Sequence, residues 1–242
     1  MSLVSNYKRD GYAVLRGAVP AASLPSGSSE SVHGMLRGHH QNSVNAYLNA
    51  VRLISKSIAT HQLFTSRAIR FAMADLGIEA PVFNTSPACH VMADDLKIPG
   101  GYYGIGAHQD YPALQSSLDA VVLWAPFFDV TLENYPVEVV PGSHLQGLLP
   151  AKPGEHISDV DDSGMEFVPV PVSRGDVLLF SVFTVHRTRL PGTGFRIAVS
   201  HRYENAAEPT WMERDYSSAQ SRVIKREVDW TPSVEQVRSV FT

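Results

Sequence analysis

The spacing of apolar residues changes near residue 80, from a helical period to short strand-like runs. Before that point, an apolar face recurring every three to four positions predicts two helices packed on a sheet. Asn42 or Ser43 would cap the first helix, and the second runs from about Ser66 to Leu76 and ends at Gly77. The apolar face of the first helix comprises Val44, Tyr47, Leu48, Val51, Ile54 and Ile58, and that of the second comprises Ile69, Ala72, Met73 and Leu76.

From Pro81 onward, short apolar runs are divided by Gly, Pro, Asn and Asp, which is typical of successive β-strands. The predicted strands lie near 88–93, 119–125, 137–140, 167–171, 176–182 and 195–203, and an N-terminal strand runs from Tyr12 to Leu15. This pattern predicts a mainly β protein with flanking helices (α+β), built as a double-stranded β-helix, the jelly-roll or cupin-like barrel.

The chain is expected to form one domain over residues 1–242, with helical support mainly at 42–77, a barrel core at about 81–203 and a C-terminal tail at 204–242. A segment rich in Ser, Gly and Pro at 23–31 predicts a loop. The acidic segment 154–166 is either a lid over the barrel mouth or a solvated loop. Thr231 and Pro232 favour a last helix that covers the barrel or makes a dimer contact.

Composition excludes several classes of protein. Hydrophobic residues make up 44% and charged residues 18%, so a globular protein is expected and disorder is not. The net charge of −4 argues against nucleic acid as the main partner. No apolar run approaches membrane-spanning length, the N-terminus lacks a signal-peptide core, and Cys89 is the single cysteine. We therefore expect a cytoplasmic protein acting on a small molecule, with no membrane partner and with a homodimer left open.

Three residues carry the main chemical signal. His108 and Asp110 form a His-x-Asp pair, and His186 follows 76 positions later at the end of the apolar run VLLFSVFTVH. Two histidines and one carboxylate on one face of an octahedral ion are the facial triad of non-haem Fe(II) oxygenases, which leaves open positions for cosubstrate and oxygen. The Pro-Gly-Thr-Gly turn at 191–194 predicts a hairpin that places His186 beside Arg196 on the next strand.

Four further motifs extend this pattern: YKRDGYAVLRG at 7–17, LWAPFFDVTLEN at 123–134, EVVPGSH at 138–144 and RGDVLLF at 174–180. Together with the triad, they resemble the phytanoyl-CoA dioxygenase family of Fe(II)/2-oxoglutarate oxygenases. The resemblance is strong from about 84 to 203 and loose before that. Two departures are a Tyr135 where the family usually has glycine, and an Ala198 that removes the Arg-x-Ser pair of some relatives.

The resemblance implies the cofactors and their ligands. His108, Asp110 and His186 would bind Fe(II), and 2-oxoglutarate would chelate it through its keto group and C1 carboxylate. Arg196 would bind the distal carboxylate, since a guanidinium forms a planar bidentate pair with it. Reaction with O2 would give succinate, CO2 and a hydroxylated metabolite. Related halogenases have a small residue in place of the carboxylate, so Asp110 favours hydroxylation over halogenation.

Other residues are secondary candidates. Trp124 resembles the family tryptophan that contacts 2-oxoglutarate, or it is only part of the core. His90 either bonds a cosubstrate carboxylate or is satisfied inside the barrel. His144 is expected not to be a ligand, because it follows a Pro-Gly turn and matches a non-ligand position of the family. Residues expected to line the substrate pocket are Tyr102, Tyr103 and Gln109, and Arg189, His201 and Arg202 would bind an anionic substrate if they face the mouth, with a solvated surface as the alternative for the arginines.

Two other functions compete with this one. A cupin-like metalloenzyme that does not use 2-oxoglutarate would tolerate Arg196→Ala. A non-catalytic metabolite-binding barrel would need no iron ligands. Substrate choice is expected to reside in the loops near 24–41, 99–106 and 153–166.

Overall fold

The computed structural model describes residues 2–20, 24, 26–99, 103–150, 160–214, 228 and 230–242. In this part of the chain, the helices are α1 (Leu3–Asp10), α2 (Ser29–Asn42), α3 (Val44–Lys56), α4 (Ile58–Phe64), α5 (Arg67–Asp75), α6 (Tyr111–Leu114), α7 (Pro209–Glu213) and α8 (Val234–Ser239), with short 3₁₀ turns at Asp94–Leu96 and Ser143–Gln146. The strands are β1 (Tyr12–Leu15), β2 (Pro81–Met92), β3 (Val121–Pro126), β4 (Val137–Val139), β5 (Val168–Val170), β6 (Val177–Ser181), β7 (His186–Thr188) and β8 (Arg196–Asn205).

The strands form two antiparallel sheets. The larger has the order β1-β6-β3-β8-β2 and the smaller the order β5-β4-β7. Every residue of β3 and β6 is buried. Both faces of these strands are therefore covered, which explains why their sequences are continuous apolar runs and do not alternate. The predicted fold class, mainly β with flanking helices in a double-stranded β-helix, is confirmed.

Serine residues cap the starts of helices α1 to α5. In each case the hydroxyl accepts a hydrogen bond from the backbone N–H three residues on, which satisfies one of the donors that a helix start leaves unpaired. These caps are Ser2, Ser28, Ser43, Ser57 and Ser66. Helix α3 packs against β2, and α5 buries Ile69, Ala72 and Met73, as the helical period predicts.

Three elements differ from the sequence prediction. The first predicted helix, whose apolar face was expected to include Ile58, ends at Lys56, because Ser57 is extended and caps α4. Ile58 therefore begins α4, where it is 76% exposed.

Helix α2 covers Ser29–Asn42, where a loop was expected, because only Leu36 in it is buried and its apolar stripe is too weak to detect. The run ending at His186 is not one strand. Strand β6 ends at Ser181, the chain turns, and His186 begins β7 in the other sheet. The chain is mostly apolar and buried without a break from Val177 through the turn to His186, so the spacing of apolar residues does not reveal where the chain changes sheets.

The C-terminal helix α8 packs against the 3₁₀ turn at Ser143–Gln146. Ser233 and Gln236 form a reciprocal capping box at its start. Val237 is buried, and the Phe241 ring packs edge-on against His144 at a centroid distance of 4.3 Å. Nε2 of His144 lies 3.1 Å from the Lys8 carbonyl. His144 therefore packs between the N-terminal and C-terminal segments of the chain, away from His108 and His186.

None of the helices in the described ranges combines the length and apolarity needed to cross a membrane.

Candidate metal centre

His108 and His186 face each other across an isolated antiparallel bridge. Each donates its backbone N–H to the other's carbonyl oxygen at 3.0 Å, and the two ring centroids lie 4.1 Å apart. This pairing holds both imidazoles on one side of the bridge. The expectation that a hairpin would place His186 beside Arg196 is wrong, since the two residues lie in different sheets. Backbone pairing with His108 positions His186.

Asp110 completes the cluster. Its Oδ1 lies 3.4 Å from Nε2 of His108 and 3.8 Å from Nε2 of His186, and one donor atom from each of the three residues lies within 4.8 Å of the others. The N–H of Tyr111 donates to the Val182 carbonyl at 3.1 Å, which ties this segment to the chain just beyond β6. All three side chains are buried, and the backbone hydrogen bonds hold the segments that carry them. The cluster therefore does not consist of mobile surface groups.

The tautomer of each histidine follows from its backbone contact. Nδ1 of His108 lies 2.7 Å from the Gly106 carbonyl, and Nδ1 of His186 lies 3.0 Å from the Thr184 carbonyl. A carbonyl oxygen only accepts, so Nδ1 carries the proton in both rings and each Nε2 presents a lone pair. Burial lowers the pKa of His186 to about 3, which keeps it neutral. These are the states that a metal ion requires of histidine ligands.

The cluster lies in a cleft whose empty volume is about 460 Å³ when the open solvent at its mouth is included. Residues from both sheets and from the segment preceding α6 line it: His90, Ile105, His108, Asp110, Val122, Trp124, Val137, Phe180, His186, Arg187, Thr188, Arg196, Ser200 and Arg202. Nine of these fourteen lining residues are polar or charged, and the other five form the apolar part of the wall. Polar groups that converge beside an apolar surface are usual in a small-molecule site.

Arg196 enters this cleft from the start of β8. It is only 2% exposed, and its Nη1 donates to the Tyr135 carbonyl. The guanidinium carbon also lies 5.6 Å from the centre of the Trp124 ring. A buried cation held in this way offers a fixed binding point for a carboxylate inside the cleft.

Comparison with known proteins is decisive for the family. The sequence profile of the family described as phytanoyl-CoA dioxygenase (PhyH) matches residues 7–190, about three quarters of the chain. The chain belongs to the phytanoyl-CoA dioxygenase family. The matched region contains the whole His-Asp-His cluster and ends before Arg196 and β8. No curated protein sequence matches the chain.

Solved structures share the fold of this phytanoyl-CoA dioxygenase family member. The non-heme monooxygenase ThoJ, in its apo form, has 19% identity and a TM-score of 0.60, over 84% of this chain and 77% of its own. The epimerase SnoN, in complex with Fe3+, alpha ketoglutarate and nogalamycin RO, has 21% identity and a TM-score of 0.59, over 84% and 82%. EctD from S. alaskensis, with 2-oxoglutarate and 5-hydroxyectoine, has 16% identity and a TM-score of 0.57, over 86% and 77%.

In this family member, His90 reaches the cleft from β2. Its Nε2 lies 2.8 Å from Oγ of Ser200, and burial, followed by the charges of Arg202 and Arg196, lowers its pKa to about 3. His90 is therefore neutral and bonded to another lining residue. This placement fits both interpretations of His90, as a cosubstrate contact and as an internally satisfied histidine.

Arg202 and Ser200 are lining residues that sequence reasoning underweighted or missed. Arg202 has 16% of its side chain exposed, and its Nη2 lies 3.1 Å from Oδ2 of Asp110. Burial acts to raise the pKa of Asp110, but the positive charge of Arg202 is the largest of the effects that hold it well below its usual range. Counting in twos along β8 from Arg196 leads to both residues, since alternate strand residues share a face.

The structure does not support the predicted substrate contacts. Nε2 of Gln109 donates to the carbonyls of Gly147 and Phe183, and its Oε1 accepts from the N–H of Leu149. This amide braces the backbone, so the predicted pocket role of Gln109 is contradicted.

The other predicted substrate contacts also lie off the lining of the cleft. The Tyr103 hydroxyl bonds Asp94 and Tyr135, and Arg189 is half-buried, with its N–H on the Pro136 carbonyl. His201 is buried and stacks on the Phe83 ring at a centroid distance of 4.0 Å, so it does not face the cleft. Tyr102 and residues 154–159 of the predicted acidic lid lie outside the described residues.

Proposed function

We propose that this protein is a non-haem Fe(II)- and 2-oxoglutarate-dependent dioxygenase that hydroxylates a small-molecule metabolite and releases succinate and CO2. One observation carries the proposal: Nε2 of His108, Nε2 of His186 and Oδ1 of Asp110 converge in a cleft that also holds a buried arginine. Membership in the phytanoyl-CoA dioxygenase family supports the same chemistry.

The donor set fits ferrous iron. Two neutral imidazoles and a carboxylate suit a borderline-hard ion, and neither backbone-bonded Nδ1 is needed for coordination. Three protein ligands on one side leave room for a chelating cosubstrate and oxygen. When bound, iron and 2-oxoglutarate supply the oxidising power of the reaction.

Arg196 orients the cosubstrate in this proposal. Its guanidinium keeps its charge at any physiological pH and matches a carboxylate through two parallel hydrogen bonds. Contacts with the Trp124 ring and the Tyr135 carbonyl fix the side chain before any ligand arrives. A preorganised cation costs less side-chain entropy on binding than a mobile one.

The apolar wall limits water around the reacting atoms. Val122, Val137 and Phe180 line the cleft, and each is at most 6% exposed. Excluding water strengthens the electrostatic interactions inside the cleft and protects a reactive oxidant from side reactions.

Hydroxylation is proposed over halogenation because position 110 carries a carboxylate, which occupies the place that a halide would need. Proteins of similar fold are described as a monooxygenase and an epimerase, so one scaffold serves several oxidative outcomes. Product mass therefore tests the outcome. Hydroxylation adds one oxygen atom, whereas epimerisation leaves the mass unchanged.

The first test is an anaerobic optical titration of the metal-free protein with Fe(II) and then 2-oxoglutarate. We expect a visible metal-to-ligand charge-transfer band that His186→Ala abolishes and Arg196→Ala weakens. His39→Ala, which removes an exposed imidazole on α2, serves as the matched control and should retain the full band. Substrate screening by succinate release follows.

The other outcomes favour the competing functions. Iron binding without the band would remove 2-oxoglutarate from the mechanism and favour a cupin-like metalloenzyme. Absence of iron binding would leave a metabolite-binding protein without this chemistry.

A further inference from the structure

The two carboxylate oxygens of Asp110 face different partners. Oδ1 points toward Nε2 of both histidines, at 3.4 and 3.8 Å. Oδ2 points toward Arg202, with 3.1 Å to Nη2 and 3.4 Å to Nε. The carboxylate is thus divided between the proposed metal position and a permanent cation.

The Arg202 side chain is itself held by the protein. Two of its nitrogens reach Asp110, and the third, Nη1, donates to Oγ of Ser200 at 3.1 Å. Oγ of Ser200 in turn lies 2.8 Å from Nε2 of His90. A hydrogen-bonded row therefore runs from β2 through β8 to the proposed metal ligand, and its geometry restricts the guanidinium to one orientation.

The backbone under this row is paired on both sides. Strand β8 lies between β3 and β2, and Arg202 is paired with Val122 on one side and Asn84 on the other. A side chain that starts from a central strand is placed more precisely than one on a loop. This arrangement suits a residue whose task is to orient another.

We propose that Arg202 is a positioning residue that binds Oδ2 of Asp110, so that only Oδ1 reaches the metal. A carboxylate free to rotate can coordinate through both oxygens, which would occupy a position that the cosubstrate or oxygen needs. With Oδ2 held, the protein supplies three ligand atoms and leaves the remaining positions open. This inference rests on the proposed metal site and adds a role that the metal triad alone does not require.

Two simpler roles give different results. If Arg202 only balances the charge of buried Asp110, its loss would remove a repulsive cation and metal would bind more tightly in unchanged geometry. If Arg202 only supports the fold, its loss would destabilise the metal-free protein without altering the bound metal. Coordination geometry separates these roles from positioning.

The test uses Co(II) as the probe, because its visible d–d absorption reports coordination number and geometry. Wild type, Arg202→Met and Arg202→Lys are titrated with Co(II), and thermal unfolding of each metal-free protein is recorded. The matched control is Arg16→Met, which removes the arginine of another ion pair. Nη1 of Arg16 lies 2.5 Å from Oδ2 of Asp176, and the Arg16 side chain is 66% exposed.

We expect Arg202→Met to bind Co(II) about 10- to 100-fold more weakly, the usual cost of losing an outer partner of a metal ligand, with a changed absorption spectrum. Arg202→Lys should fall between Arg202→Met and wild type, since an ammonium keeps the charge but does not bond Asp110 and Ser200 in the same fork. Arg16→Met should match wild type in spectrum and affinity.

Ser200→Ala keeps the test decisive if Arg202→Met does not fold. It removes the partner of Nη1 and the partner of His90, but it leaves both contacts between Arg202 and Asp110 in place. We expect a smaller change in the same direction.

The inference would be overturned if the Arg202 variants kept the wild-type spectrum and bound Co(II) as tightly as wild type or more tightly. If those variants do not fold, the same result in Ser200→Ala would overturn it. Either result would leave the metal site intact. Failure of wild type to bind Co(II) would instead overturn the metal site itself, and the inference with it.

Discussion

The guanidinium carbon of Arg196 lies 5.6 Å from the centre of the Trp124 ring, inside the cleft that holds the His-Asp-His cluster. The two residues come from neighbouring strands, β8 and β3, and both are almost fully buried. This pairing gives the proposed cosubstrate site one cation of fixed direction, and it allows the binding of 2-oxoglutarate to be tested separately from the binding of metal.

Substitution of Arg196 should weaken 2-oxoglutarate binding and spare the metal. Loss of a hydrogen-bonded charge pair costs about 1.5–3 kcal/mol, so Arg196→Met should raise KM for 2-oxoglutarate about 10- to 150-fold. Arg196→Lys should be intermediate, because it keeps the charge and loses the bidentate geometry. Metal affinity, measured by titration, should stay at the wild-type value. A parallel loss of metal affinity would show that Arg196 supports the cluster and not the cosubstrate.

Trp124→Phe tests whether the indole face restrains the cation. An aromatic ring over a cation is worth about 0.5–1 kcal/mol, and phenylalanine is a weaker partner than tryptophan. We expect KM for 2-oxoglutarate to rise about two- to fivefold, with kcat nearly unchanged. Steady-state kinetics at saturating metal measures both. An unchanged KM would reduce Trp124 to a core residue.

Gln109→Leu should reduce stability more than it changes chemistry. The wild-type side chain is 1% exposed and bonds three backbone groups, two of them buried and one half-buried, and the substitution removes this partner from all three. We expect a loss of about 2–5 kcal/mol in the free energy of unfolding, measured by chemical denaturation. The Fe(II)/2-oxoglutarate band should survive in the folded protein. A stable variant with altered substrate kinetics would restore the pocket role that the sequence suggested.

Glu204 gives a pH-dependent prediction at the far end of β8. It is 3% exposed, the amide of Asn84 donates to its Oε1, and burial raises its pKa from 4.5 to about 7. Between pH 4.5 and about pH 7, Glu204 keeps its proton in the folded protein and has lost it in the unfolded chain. The contribution of Glu204 to the free energy of unfolding of the wild type therefore falls as the pH rises from 4.5 to 7.

Glu204→Gln removes this penalty, since glutamine resembles the protonated acid. Its stability relative to wild type should increase across that pH window by about 3 kcal/mol. Buried histidines act equally in both proteins and cancel in the difference. Urea unfolding at several pH values measures the effect, with exposed Glu79→Gln as the control. A difference that stays constant with pH would mean that Glu204 titrates normally in the folded protein.

Local pattern was sufficient for much of the fold. The fully apolar runs of β3 and β6 indicated buried strands, and the helical period correctly located α3 and α5. It did not locate α2, whose single buried residue, Leu36, leaves no stripe to detect. Periodicity reports which face of an element is covered, so an element with almost no covered face is invisible to it.

The candidate site likewise has one part that the sequence predicted and another that only the structure revealed. Its ligands came from residue types and spacing, because His108 and Asp110 are two positions apart and His186 follows the family-like motif RGDVLLF at 174–180. The sheet that receives His186, the contact between Asp110 and Arg202, and the bracing role of Gln109 came only from the folded chain. These depend on which distant segments pair and how much space remains between them. Local sequence determined the chemistry available to this protein, and tertiary pairing decided the partner of each chemical group.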